Sequence, residues 1–315
     1  MDRLLSLKQK LNRSMAYKRF ADWCHKRAIK KNPKKEANRC YRYYFDHDID
    51  WENPKDFVEK TFWLLLNTDT SEWTRCADKY LVRDYLKECG LEDLLVPLLG
   101  KWNNADDIDF DSLPNQFVIK TNHSCGTNII VNDKSKLDIP LTRKRLNEWL
   151  SIPYGYSGMQ LHYTNIKPCI IAEEMLIEDE EQKKISPKSL IDYKFFCCDG
   201  IPEYVWVAYN RTHSDGVDMT LYDLDWNKHT EHIVTSDYYT YSDVDVPKPK
   251  SLETMILASK ILAKKFPEVR VDFYEINGKP YFGELTFTSG WGFFTYDFYN
   301  YLGSKIDLSK VKRIK

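Results

Sequence analysis

Two acidic side chains near the C-terminus lie on a predicted hairpin at a spacing that could hold a metal ion. The stretch RVDFYEINGKPYFGELTF, residues 270–287, alternates polar and apolar side chains on either side of Asn277-Gly278, a dipeptide typical of tight hairpin turns. Such a turn brings Asp272 close to Glu284 on the second strand. Two facing carboxylates destabilise a hairpin unless a cation lies between them, and Mg²⁺ prefers carboxylate and phosphate oxygens. A solvated hairpin edge is the alternative, and the hairpin alone leaves both interpretations open.

The alternation of side chains along the two strands predicts the neighbours of these acids. It places Arg270 on the face of Asp272, and it places Phe282 and Thr286 on the face of Glu284. On this interpretation the two acids repel each other when no metal is bound. We therefore expect that neutralising either acid removes nucleotide-dependent turnover and leaves the fold intact.

Two lysines further up the chain could supply the positive charge that a Mg²⁺-nucleotide site needs beside its carboxylates. Lys120 ends the apolar strand FVIK and precedes a small polar loop centred on residues 124–127, whose backbone N–H groups could close over phosphate. This loop lacks the spacing of a P-loop and is a weak signal alone. Lys194 lies on the predicted strand DYKFF, where it either faces inward against an anion or extends to solvent as a surface lysine.

The order of the predicted elements indicates an α+β fold. Residues 56–66 and 78–99 have apolar positions at helical intervals, so the first third of the chain is mostly helical. From Phe117 onwards, short apolar strands alternate with isolated helices and antiparallel hairpins. The stretch EDEEQKKISPKS, residues 178–189, has the character of a charged, uncapped and mobile loop. Runs of hairpins with isolated helices favour an α+β fold over a doubly wound sheet.

Positive charge is concentrated at the start of the chain. Residues 1–45 hold 14 Lys or Arg against 3 Asp or Glu, although the whole chain has a net charge of −1. Apolar residues recur among these cations at loose helical spacing: Leu4, Leu5, Leu11, Met15, Phe20, Trp23 and Ile29. This pattern predicts either docking to an anionic membrane surface or an acidic partner, or a solvated helix packed on its own domain. The acidic remainder of the chain argues against nucleic acid as a partner.

Cysteine usage and hydropathy favour the cytoplasm. No run of about 18 apolar residues occurs, and the N-terminus shows no apolar segment of signal-peptide length. The eight cysteines form no C-x-x-C pair, which fits reduced thiols better than a zinc site or a disulfide framework. His229 and His232 are the nearest approach to a metal-binding histidine pair, and their polar surroundings indicate a solvated loop.

Five blocks of sequence, taken in order, resemble the TupA-like ATP-grasp proteins, which are named for teichuronopeptide biosynthesis and are common in capsule and surface-polysaccharide clusters. The blocks are DKYLVRDY, FVIKTNHSCGTNIIVNDKSKLD, IIAEEML, DYKFFCCDG and RVDFYEINGKPYFGELTFTSG. The resemblance implies an ATP-grasp fold in which two α+β subdomains hold MgATP, preceded here by a helical basic extension. The implied boundaries are a basic helical region at 1–70, an N-terminal subdomain at 71–175 and a C-terminal subdomain at 176–315.

The same resemblance implies roles for individual residues. It implies phosphate contacts from Lys79, Lys120 and Lys194, and a loop of Ser124, Cys125, Gly126 and Thr127 that closes over the phosphates. It also implies that Glu174, Met175 and Leu176 bind adenine through their backbone, with an acid of the following EDEE run holding the ribose.

The resemblance assigns metal-binding and catalytic roles to residues of the hairpin at 270–287. Asp272 and Glu284 match the two metal-binding acids of the family, and Arg270 matches the arginine that stabilises the transferring phosphoryl group. The resemblance implies that Arg270 and Lys194 are the catalytic cations. Thr286 departs from the asparagine that many ATP-grasp ligases have two residues after the metal-bridging glutamate, but its hydroxyl can still offer an oxygen to Mg²⁺.

The activity that the resemblance implies is ATP-dependent ligation of a carboxylate to an amine through an acyl phosphate. In capsule-cluster relatives the carboxylate would belong to a uronic-acid-containing sugar or polysaccharide precursor, and the amine to an amino acid or another donor. An ATP-grasp sugar or polyol kinase is an alternative. A nucleotide-sugar glycosyltransferase is another, because Asp223-x-Asp225 and Asp243-x-Asp245 resemble D-x-D metal motifs. A scaffold that binds nucleotide or polysaccharide through the aromatic stretch GWGFFTYDFYNYLG is a non-enzymatic alternative.

Overall fold

Two β-sheets, each with its own apolar core, organise the chain. The computed structural model describes residues 15–212 and 216–314. Unit 1 contains the described residues up to Asp48, together with Thr70–Tyr80 and Pro97–Met175, and unit 2 contains Ile49–Asp69, Leu81–Val96 and the chain from Leu176 onwards. The chain passes from unit 1 to unit 2 after Met175. The segments 49–69 and 81–96 belong to unit 2, so the division before residue 100 differs from the expected one.

Unit 1 is built, within its described residues, on a four-stranded antiparallel sheet in the order β1-β4-β2-β3. The strands are β1 (Leu98–Trp102), β2 (Phe117–Thr121), β3 (Asn128–Val131) and β4 (Ile170–Glu174). The helices are α1 (Met15–Lys31), α2 (Pro33–Tyr41), α4 (Ser71–Ala77) and α6 (Ile139–Leu150). Phe117 and Ile119 of β2 pack with Leu146 of α6 in the core, so the alternation of side chains leaves Lys120 on the opposite face.

Unit 2 is built, in the part of the chain that the structure describes, on a six-stranded sheet in the order β10-β9-β5-β6-β7-β8. Its strands are β5 (Asp192–Cys198), β6 (Ile201–Thr212), β7 (Gly216–Tyr222), β8 (Tyr239–Tyr241), β9 (Glu268–Ile276) and β10 (Lys279–Thr286). Its helices are α3 (Phe57–Asn67), α5 (Val82–Glu88), α7 (Glu180–Ile185), α8 (Leu252–Ala263) and α9 (Tyr296–Ser304). Neighbouring strands are antiparallel except β7 and β8, which are parallel. The predicted α+β class is therefore confirmed.

The hairpin of β9 and β10 has the tight turn that its sequence predicts. Asn277 and Gly278 have φ angles of 52° and 77°, and a type I′ turn needs a positive φ at both central positions. With a register shift before Glu284, the hairpin has Asp272 directly opposite Glu284 across the two strands. The two acids are therefore cross-strand neighbours.

A β-bulge at Gly283 changes the faces of the second strand. The register shifts between Phe282 and Glu284, so that Phe282 lies opposite Phe273 while Glu284 lies opposite Asp272. Phe282 thus shares the apolar face of Phe273, and the prediction that it shares a face with Glu284 is wrong. A Cβ atom at Gly283 would lie only 3.1 Å from the backbone oxygen of Asp272, so the close approach of the two strands favours glycine here.

The charged stretch at 178–189 contains a helix, and the prediction of an uncapped mobile loop is wrong. Helix α7 begins at Glu180, and the side chain of Asp179 caps it by accepting hydrogen bonds from the backbone N–H groups of Glu181 and Gln182. Two acids in the first turn and two lysines in the last complement the helix dipole.

Among residues 15–212 and 216–314, no helix combines the length and the apolar character that crossing a bilayer requires.

Candidate active site

Charged side chains from three adjacent strands of unit 2 form a row across the sheet. The register places Glu284 of β10 beside Asp272 of β9, and it places Asp272 beside Lys194 of β5. The side chain of Asp272 is 2% exposed, that of Lys194 is 7% exposed and that of Glu284 is 35% exposed. The row therefore runs from a buried ion pair to a carboxylate that a ligand can reach.

Arg270 binds the acids of this row from the same face of the sheet. Its Nε and Nη2 atoms donate to the two carboxylate oxygens of Asp272, each at 2.7 Å. Its Nη2 atom also donates to Glu284 Oε1 at 3.2 Å and to Thr286 Oγ1 at 3.0 Å. Burial disfavours the charged guanidinium, but the charge and hydrogen bonds of Asp272 outweigh it and raise the pKa of Arg270. The guanidinium is thus a fixed positive charge held in one orientation.

Asp272 is an ionised carboxylate that two cations share. Its Oδ2 atom lies 2.6 Å from Lys194 Nζ, in addition to its two bonds from Arg270. Burial by itself would raise the pKa of Asp272, but Arg270 and Lys194 hold it below its ordinary value. The expected repulsion between Asp272 and Glu284 is offset by Arg270, which binds both acids. The premise that neutralising Asp272 relieves strain is therefore wrong.

Asp192 belongs to this cluster and was missed by the sequence analysis. Its Oδ2 atom lies 2.9 Å from Lys194 Nζ and 3.2 Å from Arg211 Nη2. Asp192 precedes Lys194 by two residues on β5, so the alternation rule that was applied to β9 could have found it in DYK. The ion pairs of this cluster join three acids to three cations: Asp192, Asp272 and Glu284 to Lys194, Arg211 and Arg270.

The oxygen atoms on this face are of the types that bind Mg²⁺ in proteins. They are the carboxylates of Asp272 and Glu284 and the hydroxyl of Thr286, which donates to Glu284 Oε1 at 3.0 Å and keeps a lone pair for a further contact. Asp272 Oδ2 already accepts from Arg270 and Lys194, so a metal at this oxygen would compete with Lys194, which Asp192 also contacts. Because the cluster is balanced in charge, bare Mg²⁺ gains little, whereas Mg²⁺ that arrives with a polyphosphate brings compensating negative charge. The face therefore fits a metal–nucleotide complex better than free Mg²⁺.

We expect Asp192→Asn to weaken the binding of MgATP about tenfold, a loss of about 1.4 kcal/mol that is typical of one charged hydrogen bond. Without the second carboxylate, Lys194 stays on Asp272 and competes with the metal. Calorimetric titration of the protein with a non-hydrolysable ATP analogue at several Mg²⁺ concentrations measures the effect. Asp218→Asn is the matched control, because Asp218 binds Asn210 and Thr240 on the same sheet. Equal affinity in both variants contradicts the role of Asp192.

Unit 1 carries the other lysines to which the sequence assigns phosphate contacts. Lys79 Nζ donates to the backbone oxygen of Ser124 at 3.0 Å. Lys120 Nζ lies 2.5 Å from Glu173 Oε2 of the neighbouring strand β4, a partner that the sequence analysis did not name. The two lysines therefore both have acceptors within unit 1, and Lys79 is tied directly to the predicted phosphate loop.

The loop after β2 is held together by three hydroxyl groups. Thr121 Oγ1 lies 3.1 Å from Ser124 Oγ and 2.6 Å from Thr127 Oγ1, and the last two oxygens lie 2.7 Å apart. Gly126 has a φ of 68°, and the space around it is open. Cys125 is exposed and accepts a hydrogen bond from the hydroxyl of Tyr154 at 3.1 Å. The loop thus has a fixed base and an open tip, as a phosphate-covering loop requires.

The predicted adenine-binding residues lie at the end of strand β4 and directly after it. Glu174 is exposed at the end of the strand, and its backbone N–H donates to Pro97 O at 3.0 Å. Met175 and Leu176 are partly buried, and the boundary between the units falls between them. The structure therefore groups the predicted site residues in two sets, one in each unit.

The two D-x-D sequences have structural explanations. The Asp223 carboxylate accepts hydrogen bonds from the backbone N–H groups of Asp225 and Asn227, which closes a turn. Asp245 Oδ1 lies 2.5 Å from Lys228 Nζ in an ion pair. These contacts account for Asp223 and Asp245 without a nucleotide-sugar metal site.

Comparison with known proteins assigns the fold and the family. A model of the family described as TupA-like ATPgrasp matches residues 59–307, which is most of the chain. The protein is therefore one of the ATP-grasp class, whose cofactors are ATP and Mg²⁺, as the sequence predicts. Within that class, the chain belongs to the TupA-like family. A search of curated proteins finds no match.

Solved structures that resemble the chain do so at low sequence identity. D-alanine–D-alanine ligase from Bacillus anthracis is 18% identical over 71% of this chain and 60% of its own, with a TM-score of 0.44. The ADP complex of purK, N5-carboxyaminoimidazole ribonucleotide synthetase, is 13% identical over 71% of this chain and 48% of its own, with a TM-score of 0.42. L-amino acid ligase from Bacillus licheniformis is 11% identical over 75% of this chain and 46% of its own, with a TM-score of 0.41. The alignments therefore span 60% or less of the length of these proteins.

Proposed function

We propose that the protein is an ATP-dependent carboxylate–amine ligase that forms an amide bond through an acyl phosphate. The observation that carries this proposal is the cluster of Arg270, Asp272, Glu284 and Lys194 on one face of unit 2, in a chain of the ATP-grasp class. Phosphoryl transfer requires positioning and neutralisation of charge more than a protein nucleophile. This cluster supplies fixed cations and oxygen ligands for a metal.

The chemistry has two steps. In the first, an oxygen of the substrate carboxylate attacks the γ-phosphorus of ATP, which forms the acyl phosphate and releases ADP. In the second, the amine attacks the acyl carbon, phosphate leaves with the electron pair of the broken C–O bond, and the amine nitrogen loses a proton. Bound at Asp272, Glu284 and Thr286, Mg²⁺ would neutralise phosphate charge during the first step. Arg270 stabilises the charge that develops on the transferring group, and Lys194 contacts the phosphates.

For the substrates, we propose a uronic-acid carboxyl of a sugar or polysaccharide precursor and an amino acid or other amine as the donor. What supports this choice is the family, which is named for teichuronopeptide biosynthesis. The reaction would take place in the cytoplasm, where ATP is made, and would belong to the synthesis of capsular or other surface polysaccharide.

An isotope experiment tests the ligase directly. Protein, MgATP, glucuronate labelled with ¹⁸O in its carboxyl group and a mixture of amino acids are incubated and analysed by mass spectrometry. A ligase forms a product with the mass of both substrates minus water and transfers one ¹⁸O atom to phosphate. A product that gains only phosphate and needs no amine identifies the kinase alternative and overturns the ligase. ATP hydrolysis that is equal with and without these substrates overturns the uronate as substrate.

The exposed side chains of the N-terminal helix α1 support binding of the protein to a membrane surface. Leu4, Leu5 and Leu11 lie outside the described residues, but α1 exposes Tyr17 (42%), Phe20 (61%) and Trp23 (52%) to solvent. Phe20 stacks on Trp23 with ring centroids 6.0 Å apart, and the Arg27 guanidinium lies 4.8 Å from the Trp23 ring centroid. Exposed aromatic rings beside cations match the chemistry of an anionic bilayer surface.

We therefore propose that α1 docks the protein on anionic lipid at the inner face of the cytoplasmic membrane. Vesicles that contain phosphatidylglycerol should sediment the protein, and vesicles of phosphatidylcholine should not. The double substitution Phe20→Ser and Trp23→Ser should reduce the bound fraction at least tenfold, because burial of each ring in the bilayer surface would contribute about 1.5–3 kcal/mol. Tyr43→Ser, at an exposed ring outside α1, is the control. Equal sedimentation of all variants would rule out docking through α1.

A further inference from the structure

Three side chains that can bind metal converge between β7 and β8 of unit 2. One nitrogen of His229, one nitrogen of His232 and one carboxylate oxygen of Glu231 all lie within 4.8 Å of one another. Glu231 Oε1 is 2.9 Å from His229 Nδ1 and 3.7 Å from His232 Nε2. Ligands with bonds of about 2.1 Å to a tetrahedral ion lie about 3.4 Å apart. Small rotations of these side chains would therefore bring them onto one ion.

The backbone holds this segment in place at both ends. The N–H of His229 donates to Leu221 O at 2.8 Å, and the carbonyl of His232 accepts from the N–H of Thr295 at 2.8 Å. The Tyr204 ring packs edge-on against both imidazoles, with centroid distances of 5.3 Å to His229 and 6.3 Å to His232. Each imidazole is only 25% exposed, so the expectation of a solvated loop is wrong for these two side chains.

A carboxylate behind His229 has the position that orients a metal-bound histidine. Asp223 Oδ2 lies 3.3 Å from His229 Nε2, on the far side of the ring from Glu231. A histidine that donates one ring N–H to a carboxylate directs its other nitrogen, here Nδ1, at the metal. Asp223 is itself fixed, because it accepts hydrogen bonds from Asn227.

We propose that His229, Glu231 and His232 form a binding site for one divalent transition-metal ion of the Zn²⁺ type, separate from the Mg²⁺ site of the ATP-grasp cluster. Two imidazoles and a carboxylate select Zn²⁺, Co²⁺ or Ni²⁺ over Mg²⁺, which prefers oxygen ligands alone. Three protein ligands leave a fourth position for water. The ion would tie the connection between β7 and β8 to the sheet, and the proposal does not depend on the ligase reaction.

Titration with Co²⁺ tests the site in the full-length protein after treatment with a chelator. We expect one equivalent of Co²⁺ to bind with visible absorption, Zn²⁺ to displace it, and millimolar Mg²⁺ to leave it bound. His232→Ala and Glu231→Gln should each weaken Co²⁺ binding at least tenfold, and Zn²⁺ should raise the melting temperature of the unsubstituted protein but not of these variants.

The control is His25→Ala, because His25 pairs with Glu36 in another His–Glu contact that has no second histidine among its described partners. This variant should bind Co²⁺ as the unsubstituted protein does. Co²⁺ binding that is unchanged in His232→Ala, or is lost equally in His25→Ala, overturns the proposal. Absence of any Co²⁺ absorption identifies the cluster as an ion-pair network and also overturns it. Glu231→Gln keeps the size of the side chain, so its effect reports ligand loss even if His232→Ala fails to fold.

Discussion

Glu284→Gln is expected to lower Mg²⁺-dependent ATP turnover by about three orders of magnitude while leaving the stability of the fold nearly unchanged. Glu284 is the acid of the cluster that solvent reaches, and its carboxylate would bind the metal that neutralises phosphate charge. Glutamine keeps an oxygen that can accept from Arg270 and Thr286, so the contacts of Glu284 within the protein survive. Turnover in the ligase assay and urea unfolding at neutral pH measure the two effects.

The control for this variant is Glu253→Gln, which removes the same charge from an exposed position on α8. Its turnover should equal that of the unsubstituted protein. If Glu284→Gln retains full turnover at saturating Mg²⁺, the metal does not bind at Glu284 and the assignment of this face fails.

Asp272→Asn is expected to behave differently, because it should destabilise the fold by about 3–5 kcal/mol as well as abolish turnover. The substitution leaves Arg270 and Lys194 buried without the carboxylate that both of them contact. The free energy of unfolding, measured in urea, should fall accordingly. An Asp272→Asn variant as stable as the unsubstituted protein would show that the buried ion pairs contribute nothing.

A second substitution separates the ion pair from other effects at the site. Lys194→Met in the Asp272→Asn background removes one of the two cations that have lost Asp272 as a partner, so the double variant should lose less stability than the sum of the two single losses. The pH dependence gives an independent check. The pKa of Asp272 is lowered in the folded state, so its stabilising contribution is present above about pH 4 and is lost as the pH falls through the lowered value. Asp272→Asn should flatten this acid decline, whereas Glu253→Gln should not.

Local rules predicted much of the hairpin of β9 and β10. Alternation of side chains placed Arg270 and Asp272 on one face, as the structure has them, and the Asn277-Gly278 turn brought Glu284 near Asp272. The turn alone would put Gly283 opposite Asp272, so Glu284 lies directly opposite only because of the bulge. The bulge at Gly283 was not predicted, because one extra residue in a strand leaves no mark on the apolar pattern beyond a single glycine. The misplacement of Phe282 follows from that omission alone.

Local rules could not predict contacts between strands that are distant in the sequence. The sequence left open whether Lys194 faces an anion or extends to solvent, and the strand order β10-β9-β5 shows that it faces Asp272. Asp192 could have been found from its spacing to Lys194, whereas Arg211 could not, because it lies on another strand. The spacing of His229 and His232 was noticed, but their burial against Tyr204 and the position of Asp223 depend on how the sheet brings three segments together.

The bulge at Gly283 has a consequence for how the hairpin tolerates changes in length. A chain that lacked residue 283 would form a regular hairpin with the same turn, and the glutamate would directly follow Phe282. This glutamate would still lie opposite Asp272, because the deletion removes only the extra residue of the bulge. The extra residue is therefore not needed for pairing, and what it adds is local twist, which bends the strand and re-aims the side chain beside it. Loss of this single residue would preserve every charge in the cluster and yet change the direction in which its most exposed carboxylate points.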